Sequence, residues 1–166
     1  MLVVSDTSVL INLALIGEAD ILPRLFQTVV APEAVRTEFA RLASTEPRLR
    51  AATWPDWVEV RRPAHIPADL LTWPRRLHTG ECEAIALAIE IHADALLVDE
   101  EAARSAAKAH GLHVTGIAGI LLRAKASGLI PSVGAILDRI MDEAGFWLGS
   151  AFRREVLLLA GENPDT

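Results

Sequence analysis

Short apolar runs that alternate with helical stretches constrain the fold of this chain more than any other feature of its sequence. Such runs occupy residues 2–5, 28–31, 95–98 and 112–115. Short continuous apolar runs are typical of parallel strands that are covered by helices on both faces of a sheet. Residues 57–61 alternate between apolar and polar side chains instead, which predicts a strand at the edge of the sheet.

The stretches between these runs have the residues that helices prefer at their ends. Predicted helices span residues 8–16, 32–42, 80–92, 100–110, 117–127, 131–144 and 150–160. Proline begins two of them, at positions 32 and 131, and a glycine follows five of the seven. Proline fits the first helical turn, and glycine fits the position after the last turn. The alternation predicts an α/β fold, a three-layer α/β/α sandwich with a mostly parallel central sheet of about five strands.

The length of 166 residues predicts a single domain, because a chain of this size buries a substantial core. The helices of residues 131–166 are expected to pack on that domain. Residues 44–77 are rich in proline and are expected to form loops and short helices over one edge of the sheet. The apolar runs are shorter than the ~18 residues of a membrane span, and the lone cysteine, Cys82, fits a reducing cytoplasm.

The charge and apolar content limit the partners that this chain is expected to have. A net charge of −6 argues against holding nucleic acid by bulk electrostatics, which relies on many phosphate contacts. The negative net charge is still compatible with an enzyme that binds nucleic acid through a local metal site. The apolar fraction of 51%, together with the pair Phe146 and Trp147, predicts a self-association surface and hence a homodimer.

Two acidic residues follow predicted strands at the point where each strand ends. Asp6 comes directly after residues 2–5, and Asp99 comes directly after residues 95–98. Open parallel α/β sheets bind ligands outside the carboxyl ends of their strands, so these two side chains are expected to meet there. Each aspartate also precedes a predicted helix, and a role as helix N-cap explains each of them on its own.

Two glutamates on predicted helices join this pair. Glu81 lies about 200° from Glu83 around its helix, so it points toward protein if Glu83 is solvated. Glu81 could instead complement the positive end of the helix, although an exposed Glu83 can already do so. Glu38 lies beside the apolar stripe of Val35 and Phe39 on its helix. At this position the pattern favours a site residue only slightly over an ordinary exposed glutamate.

Together, these segments resemble the PIN-domain family of metal-dependent ribonucleases. The resemblance rests on VVSDTSVLINL, PEAVRTEF and LHTGECEAIALAIEIHADALLVDE, and it extends from residue 2 to about residue 126. It is closest to compact bacterial and archaeal proteins related to VapC-type toxins. The resemblance implies that Asp6, Glu38, Glu81 and Asp99 are catalytic. It further implies that Asp6, Glu81 and Asp99 hold one or two Mg²⁺ or Mn²⁺ ions.

The resemblance also implies a set of supporting residues close to these acids, and it shows some departures. The supporting residues are Ser8, Asn12, Glu100, Glu101 and Thr115. The family more often has an aspartate where this chain has Glu81. The run at residues 112–115 ends without an acid, and the helices after residue 131 are less typical of a minimal toxin.

The function implied by the resemblance is an endoribonuclease that cleaves single-stranded or structured RNA. It would be the toxin component of a type II toxin–antitoxin system, with an antitoxin protein as partner. Carboxylate oxygens fit Mg²⁺ or Mn²⁺ better than zinc, and the five histidines show no metal-ligand spacing near the acids. The alternative is a non-catalytic PIN-like module that binds nucleic acid or another protein.

Two other families that place aspartates at strand ends fit the sequence less well. A receiver domain usually has an acidic pair at the end of its first strand, and this chain has Ser5 before Asp6. A phosphatase of the haloacid-dehalogenase type needs a second aspartate two residues after the first, where this chain has Ser8.

Overall fold

A sheet of five parallel strands lies at the centre of the computed structural model, which describes residues 1–165. The strands are β1 (Leu2–Ser5), β2 (Thr28–Pro32), β3 (Glu59–Arg61), β4 (Ala95–Leu97) and β5 (Val114–Thr115). Their order across the sheet is β3-β2-β1-β4-β5, and all four pairings are parallel. The predicted three-layer α/β/α sandwich is confirmed, and so is the edge position of the alternating strand.

Helices cover both faces of this sheet. Within residues 1–165 they are α1 (Thr7–Leu15), α2 (Ile21–Leu25), α3 (Glu33–Thr45), α4 (Ala68–Leu71), α5 (Thr79–Glu90), α6 (Glu101–Ala109), α7 (Ile117–Ala126), α8 (Val133–Arg139) and α9 (Ser150–Leu159). A 3₁₀ turn at Pro47–Leu49 follows α3, and a π-helical turn at Ile140–Ala144 prolongs α8. In this part of the chain, every helix is too short or too polar to cross a bilayer.

Two hydrophobic clusters form the core, one on each face of the sheet. Successive strand residues point to opposite faces. Val3 and Leu97 therefore pack with α1 and α7, while Val4 and Leu96 pack with α5 and α6. All four side chains are at most 1% exposed, so β1 and β4 are buried on both faces, as their continuous apolar sequences predict.

The structure differs from the sequence prediction mainly in the short elements. The helix α2 was not predicted, because it has only five residues and shows no clear periodicity. The four-residue helix α4 lies within residues 44–77, where short helices were expected. The helix predicted to begin at residue 131 begins at Val133 instead. The Ser132 side chain caps it by accepting a hydrogen bond from the Ala135 N–H.

The order of the strands creates a switch point beside β1. From β1 the chain proceeds to β2 and β3 on one side and later to β4 and β5 on the other side. Helices that leave β1 and β4 therefore diverge, and a crevice opens at the carboxyl ends of these two strands. Asp6 and Asp99 follow these strands at that place.

The carboxylate of Glu162, just after α9, joins the C-terminal helices. It accepts hydrogen bonds from Lys125 Nζ (2.7 Å), Val133 N (2.6 Å), Gly134 N (2.9 Å) and Ser132 Oγ (3.0 Å). Burial of Glu162 opposes its ionisation, but the Lys125 ammonium and the other donors outweigh burial and lower the pKa to about 2. This one side chain therefore links the start of α8 to the end of α7 and α9.

We expect Glu162→Gln to lower the free energy of unfolding at pH 7 by roughly 2 kcal/mol, because the charged hydrogen bonds are weakened. The pKa of Glu162 is lowered in the folded state, so its stabilisation is complete above the ordinary value of 4.5. The difference between wild type and variant should shrink as the pH falls from 4.5 to about 2 in urea unfolding. Glu155→Gln, an exposed change on α9, is the control. A constant difference across that pH range would contradict the prediction.

Candidate active site

A cleft of about 1030 Å³ opens at the carboxyl ends of β1, β4 and β5. All four acids predicted to be catalytic line it: Asp6, Glu38, Glu81 and Asp99. They come from four separate segments of the chain, and only the parallel sheet and its switch point bring these segments together.

Asp6 is at the same time a helix cap and a wall of the cleft. It is the N-cap of α1, where Oδ1 accepts a hydrogen bond from Val9 N at 3.1 Å. The Ser8 hydroxyl also donates to this carboxylate, at 3.0 Å from Oδ2. Burial raises the pKa of Asp6 to about 8 against these donors, and the negative charges of Asp99 and Glu81 add to the rise. The two readings of Asp6 as cap and as site residue therefore do not exclude each other.

Asp99 is held by the start of α7. Its oxygens accept from Ile117 N at 3.1 and 3.3 Å, and a side chain at position 116 would overlap Oδ1, which explains the glycine there. Burial raises the pKa of Asp99 to about 6, against the Ile117 N–H and the Arg104 guanidinium. Arg104 itself donates from Nη1 to the Val98 carbonyl at 2.9 Å. The Ile117 N–H thus fixes the position of this carboxylate.

Glu81 lines the cleft but also caps α5. Its Oε2 accepts from the backbone N–H of His78 at 2.8 Å, and the His78 side chain accepts in return from the Glu81 N–H. Glu83, predicted to complement the positive end of the helix from an exposed position, accepts a hydrogen bond from Ala34 N at the start of α3, at 3.3 Å. Burial raises the pKa of Glu81, the His78 N–H opposes the rise, and Glu100 and Glu38 add to it.

Glu38 is a fixed member of the cleft. Its Oε2 accepts a hydrogen bond of 2.6 Å from the Thr7 hydroxyl, and Thr7 is 5% exposed. A Cβ at Gly80 would lie 3.0 Å from the same oxygen, so α5 passes close to it. Glu38 therefore packs between α1 and α5, and it is not one of the freely solvated glutamates at the edge of α3.

The supporting residues divide into two groups. Ser8, Glu100, Glu101 and Thr115 line the cleft, whereas Asn12 does not. Asn12 lies more than one helical turn after Asp6 and is 8% exposed, because it occupies the buried side of α1. The Glu101 side chain is 83% exposed and pairs with Arg75 at 3.4 Å. Glu100, whose charge raises the pKa of Glu81, lies closer to the other acids.

Sequence reasoning missed several residues of the cleft. His78, Arg104, Gly116, Trp147 and Phe152 all line it. His78 is the N-cap of α5 because the helix begins at Thr79, one residue before the predicted start at residue 80. The close approach of Gly116 to Asp99 depends on packing between distant segments, and no local pattern indicates it.

The donor set fits a hard divalent cation. Every candidate ligand is a carboxylate, which suits Mg²⁺ or Mn²⁺. Among residues 1–165, no three acidic, histidine or cysteine side chains are already arranged to enclose an ion. Mg²⁺ usually keeps several waters and is bound through one or two carboxylates, so such an ion would need only part of this set of acids.

The sequence comparisons assign a family to this parallel α/β/α sandwich with carboxylates at its switch point. Residues 2–162 match the sequence model of the family DUF3368, described as a PIN domain. The chain therefore belongs to the PIN-domain family, whose members are generally nucleases and typically bind divalent metals. The match includes α8 and α9, the helices that are less typical of a minimal toxin. The comparison with curated proteins gives no match.

The raised pKa values of Asp6 and Asp99 predict how the metal-free protein responds to pH. A carboxyl with a raised pKa keeps its proton in the folded state after the unfolded chain has lost it. Stability should therefore fall as the pH rises from the ordinary aspartate value of 3.8 to about 8, the pKa of Asp6. Each group contributes at most roughly 1.4 kcal/mol per pH unit.

Asp6→Asn should flatten this decline, since asparagine caps a helix as well as aspartate but does not titrate. Thermal unfolding in chelator between pH 4 and pH 8 measures the effect. Asp142→Asn, an exposed change outside the cleft, should keep the wild-type slope. Equal slopes for wild type and Asp6→Asn would show that Asp6 does not titrate in this range.

Proposed function

We propose that this PIN domain is a Mg²⁺- or Mn²⁺-dependent endoribonuclease that cleaves single-stranded or structured RNA. The observation that carries the proposal is the meeting of Asp6, Glu38, Glu81 and Asp99 in one cleft. Burial raises the pKa values of Asp6, Glu81 and Asp99, and the charges of neighbouring acids add to the rise at Asp6 and Glu81. Such shifts are expected where a bound cation neutralises the charge.

Asp6, Glu81 and Asp99 are the proposed ligands. A bound divalent cation would supply activation of water and stabilisation of charge on the phosphodiester oxygens. The chain fixes the ligands: Ser8 orients Asp6, and the Ile117 N–H orients Asp99. Glu38, held by the Thr7 hydroxyl, is proposed to orient the attacking water or to act as a further ligand. The cleft needs no protein nucleophile for this reaction.

We also propose that the protein is the toxin of a type II toxin–antitoxin pair in the cytoplasm. The resemblance of the acidic motifs to VapC-type toxins supports this role, and it implies an antitoxin protein as partner. The lone cysteine fits a reducing compartment. A homodimer is proposed as well, supported by Leu158 and Leu159 of α9, which are 58% and 69% exposed.

One observation favours the alternative, a non-catalytic PIN-like module. Glu81 and Asp99 already accept hydrogen bonds from the backbone N–H groups of His78 and Ile117. In a purely structural site, accepting these backbone hydrogen bonds would be the only function of the two acids. The experiments below separate the two functions.

Asp6→Asn should lower Mn²⁺-dependent RNA cleavage by at least about 100-fold, because the lost ligand removes metal-stabilised charge. The metal-free variant should be at least as stable as wild type at neutral pH, because asparagine avoids the cost of burying a carboxyl whose pKa is raised to about 8. Mn²⁺ should raise the melting temperature of wild type more than that of the variant. Asp142→Asn is the control. Cleavage by Asp6→Asn at the wild-type rate in matched metal titrations would show that Asp6 is only a cap.

Glu81→Gln separates the capping role of Glu81 from its role in the site. The amide oxygen of glutamine can still accept from the His78 N–H, so we expect wild-type stability. Cleavage should fall by at least about tenfold, because the amide carries no charge for a cation. Glu83→Gln on the same helix is the matched control and should keep activity. If Glu81→Gln retained full activity, Glu81 would have to be regarded as a cap alone.

A further inference from the structure

Two exposed aromatic side chains share the cleft with the acids. Trp147 is 81% exposed and Phe152 is 49% exposed, and both line the cleft that contains Asp6 and Asp99. In the described part of the chain neither ring forms a ring–ring contact. We call these two side chains the aromatic wall. Exposed aromatic rings beside a polar site are typical of a surface that binds a ligand.

The local backbone forces Trp147 outward. Gly145 ends the π-helical turn with a φ of 72°, which redirects the chain. Leu148 is buried at 8% exposure, and Phe146 packs against the core on the same side. With both neighbours anchored in the core, the indole of Trp147 is left on the outside, with its edge near Gly149. The position is thus fixed by packing on either side of it.

The charges of the cleft make phosphate contacts a poor source of RNA affinity. Besides four acids, the cleft contains Glu100 and Glu101 and one arginine, Arg104, which already donates to the Val98 carbonyl. Arg75 at the rim pairs with Glu101. A polyanion in such a cleft needs affinity that does not come from neutralised phosphates. Stacking of bases on aromatic rings provides it, since every base has a π-face.

We propose that the aromatic wall of Trp147 and Phe152 stacks unpaired bases of single-stranded RNA whose backbone crosses the acids. The inference rests on the proposed nuclease function and narrows its substrate. In a duplex the base faces are already stacked on one another, so the wall selects single-stranded over double-stranded RNA. The acids would act on the backbone, and the wall would hold the bases.

Binding tests this proposal without cleavage. In the Asp6→Asn background with Mg²⁺, a single-stranded RNA octamer should quench tryptophan fluorescence, because Trp147 is exposed while Trp54, Trp57 and Trp73 are half-buried. Adding Trp147→Ala should weaken octamer binding about tenfold and remove the quenching. Trp147→Phe keeps an aromatic face and should bind within about threefold of the parent. Because Trp147 is so exposed, these variants should have the same melting temperature as the parent.

Leu71→Ala is the matched control, since Leu71 is 68% exposed at the end of α4 but does not line the cleft. It should bind the octamer like the parent. Equal affinity of the Trp147→Ala variant and its parent would overturn the proposal, and so would equal binding and quenching by a blunt RNA duplex. If Trp147→Ala instead converts a dimer to a monomer in sedimentation and leaves octamer affinity unchanged, Trp147 belongs to an interface between copies and the proposal is wrong.

Failure of the nuclease function gives a different result. In that case wild type would not cleave the octamer with Mn²⁺, or wild type and Asp6→Asn would cleave it at the same rate. The quenching and the affinity difference between Trp147→Ala and Trp147→Phe would still report stacking directly. Cleavage by wild type combined with unchanged binding by Trp147→Ala would reject the aromatic wall alone.

Discussion

The pairing of β1 with β4 is the interaction on which the rest of the site depends. Ser5 is in register with Leu97, and Asp6 N donates to the Leu97 carbonyl at 3.0 Å, so the two strands end side by side. Asp6 and Asp99 follow these ends and cannot separate without breaking the ladder. The same pairing lies at the switch point, where the helices diverge and leave the cleft open.

Much of this arrangement could be predicted because its signals are local. Continuous apolar runs mark buried parallel strands, and glycine and proline mark the helix ends. Once the sheet is parallel, Asp6 and Asp99 must share an edge, so the sequence indicates the centre of the cleft. The angle around α5 likewise indicates that Glu81 faces protein.

The features of the site that the sequence does not predict depend on contacts between distant segments. The angle around α5 does not reveal that the donor nearest Glu81 is the His78 N–H, nor that Glu83 reaches Ala34. Asn12 was expected to help the acids, but α1 turns it into the protein. Trp147 was expected at a self-association surface, and its place in the cleft follows from the buried Leu148 and the turn at residue 145.

The hydrogen bonds around the acids explain how such a site can exist in a stable fold. A carboxylate offers about four lone-pair positions, so capping a helix leaves capacity for a cation. Val9 and Ile117 donate from the first turns of α1 and α7, where the helix dipoles also favour negative charge. Even so, the pKa values remain at about 8 for Asp6 and about 6 for Asp99, so these donors offset only part of the cost of burial. The remaining cost is what a bound cation would relieve, and this links the stability of the fold to the proposed chemistry of the cleft.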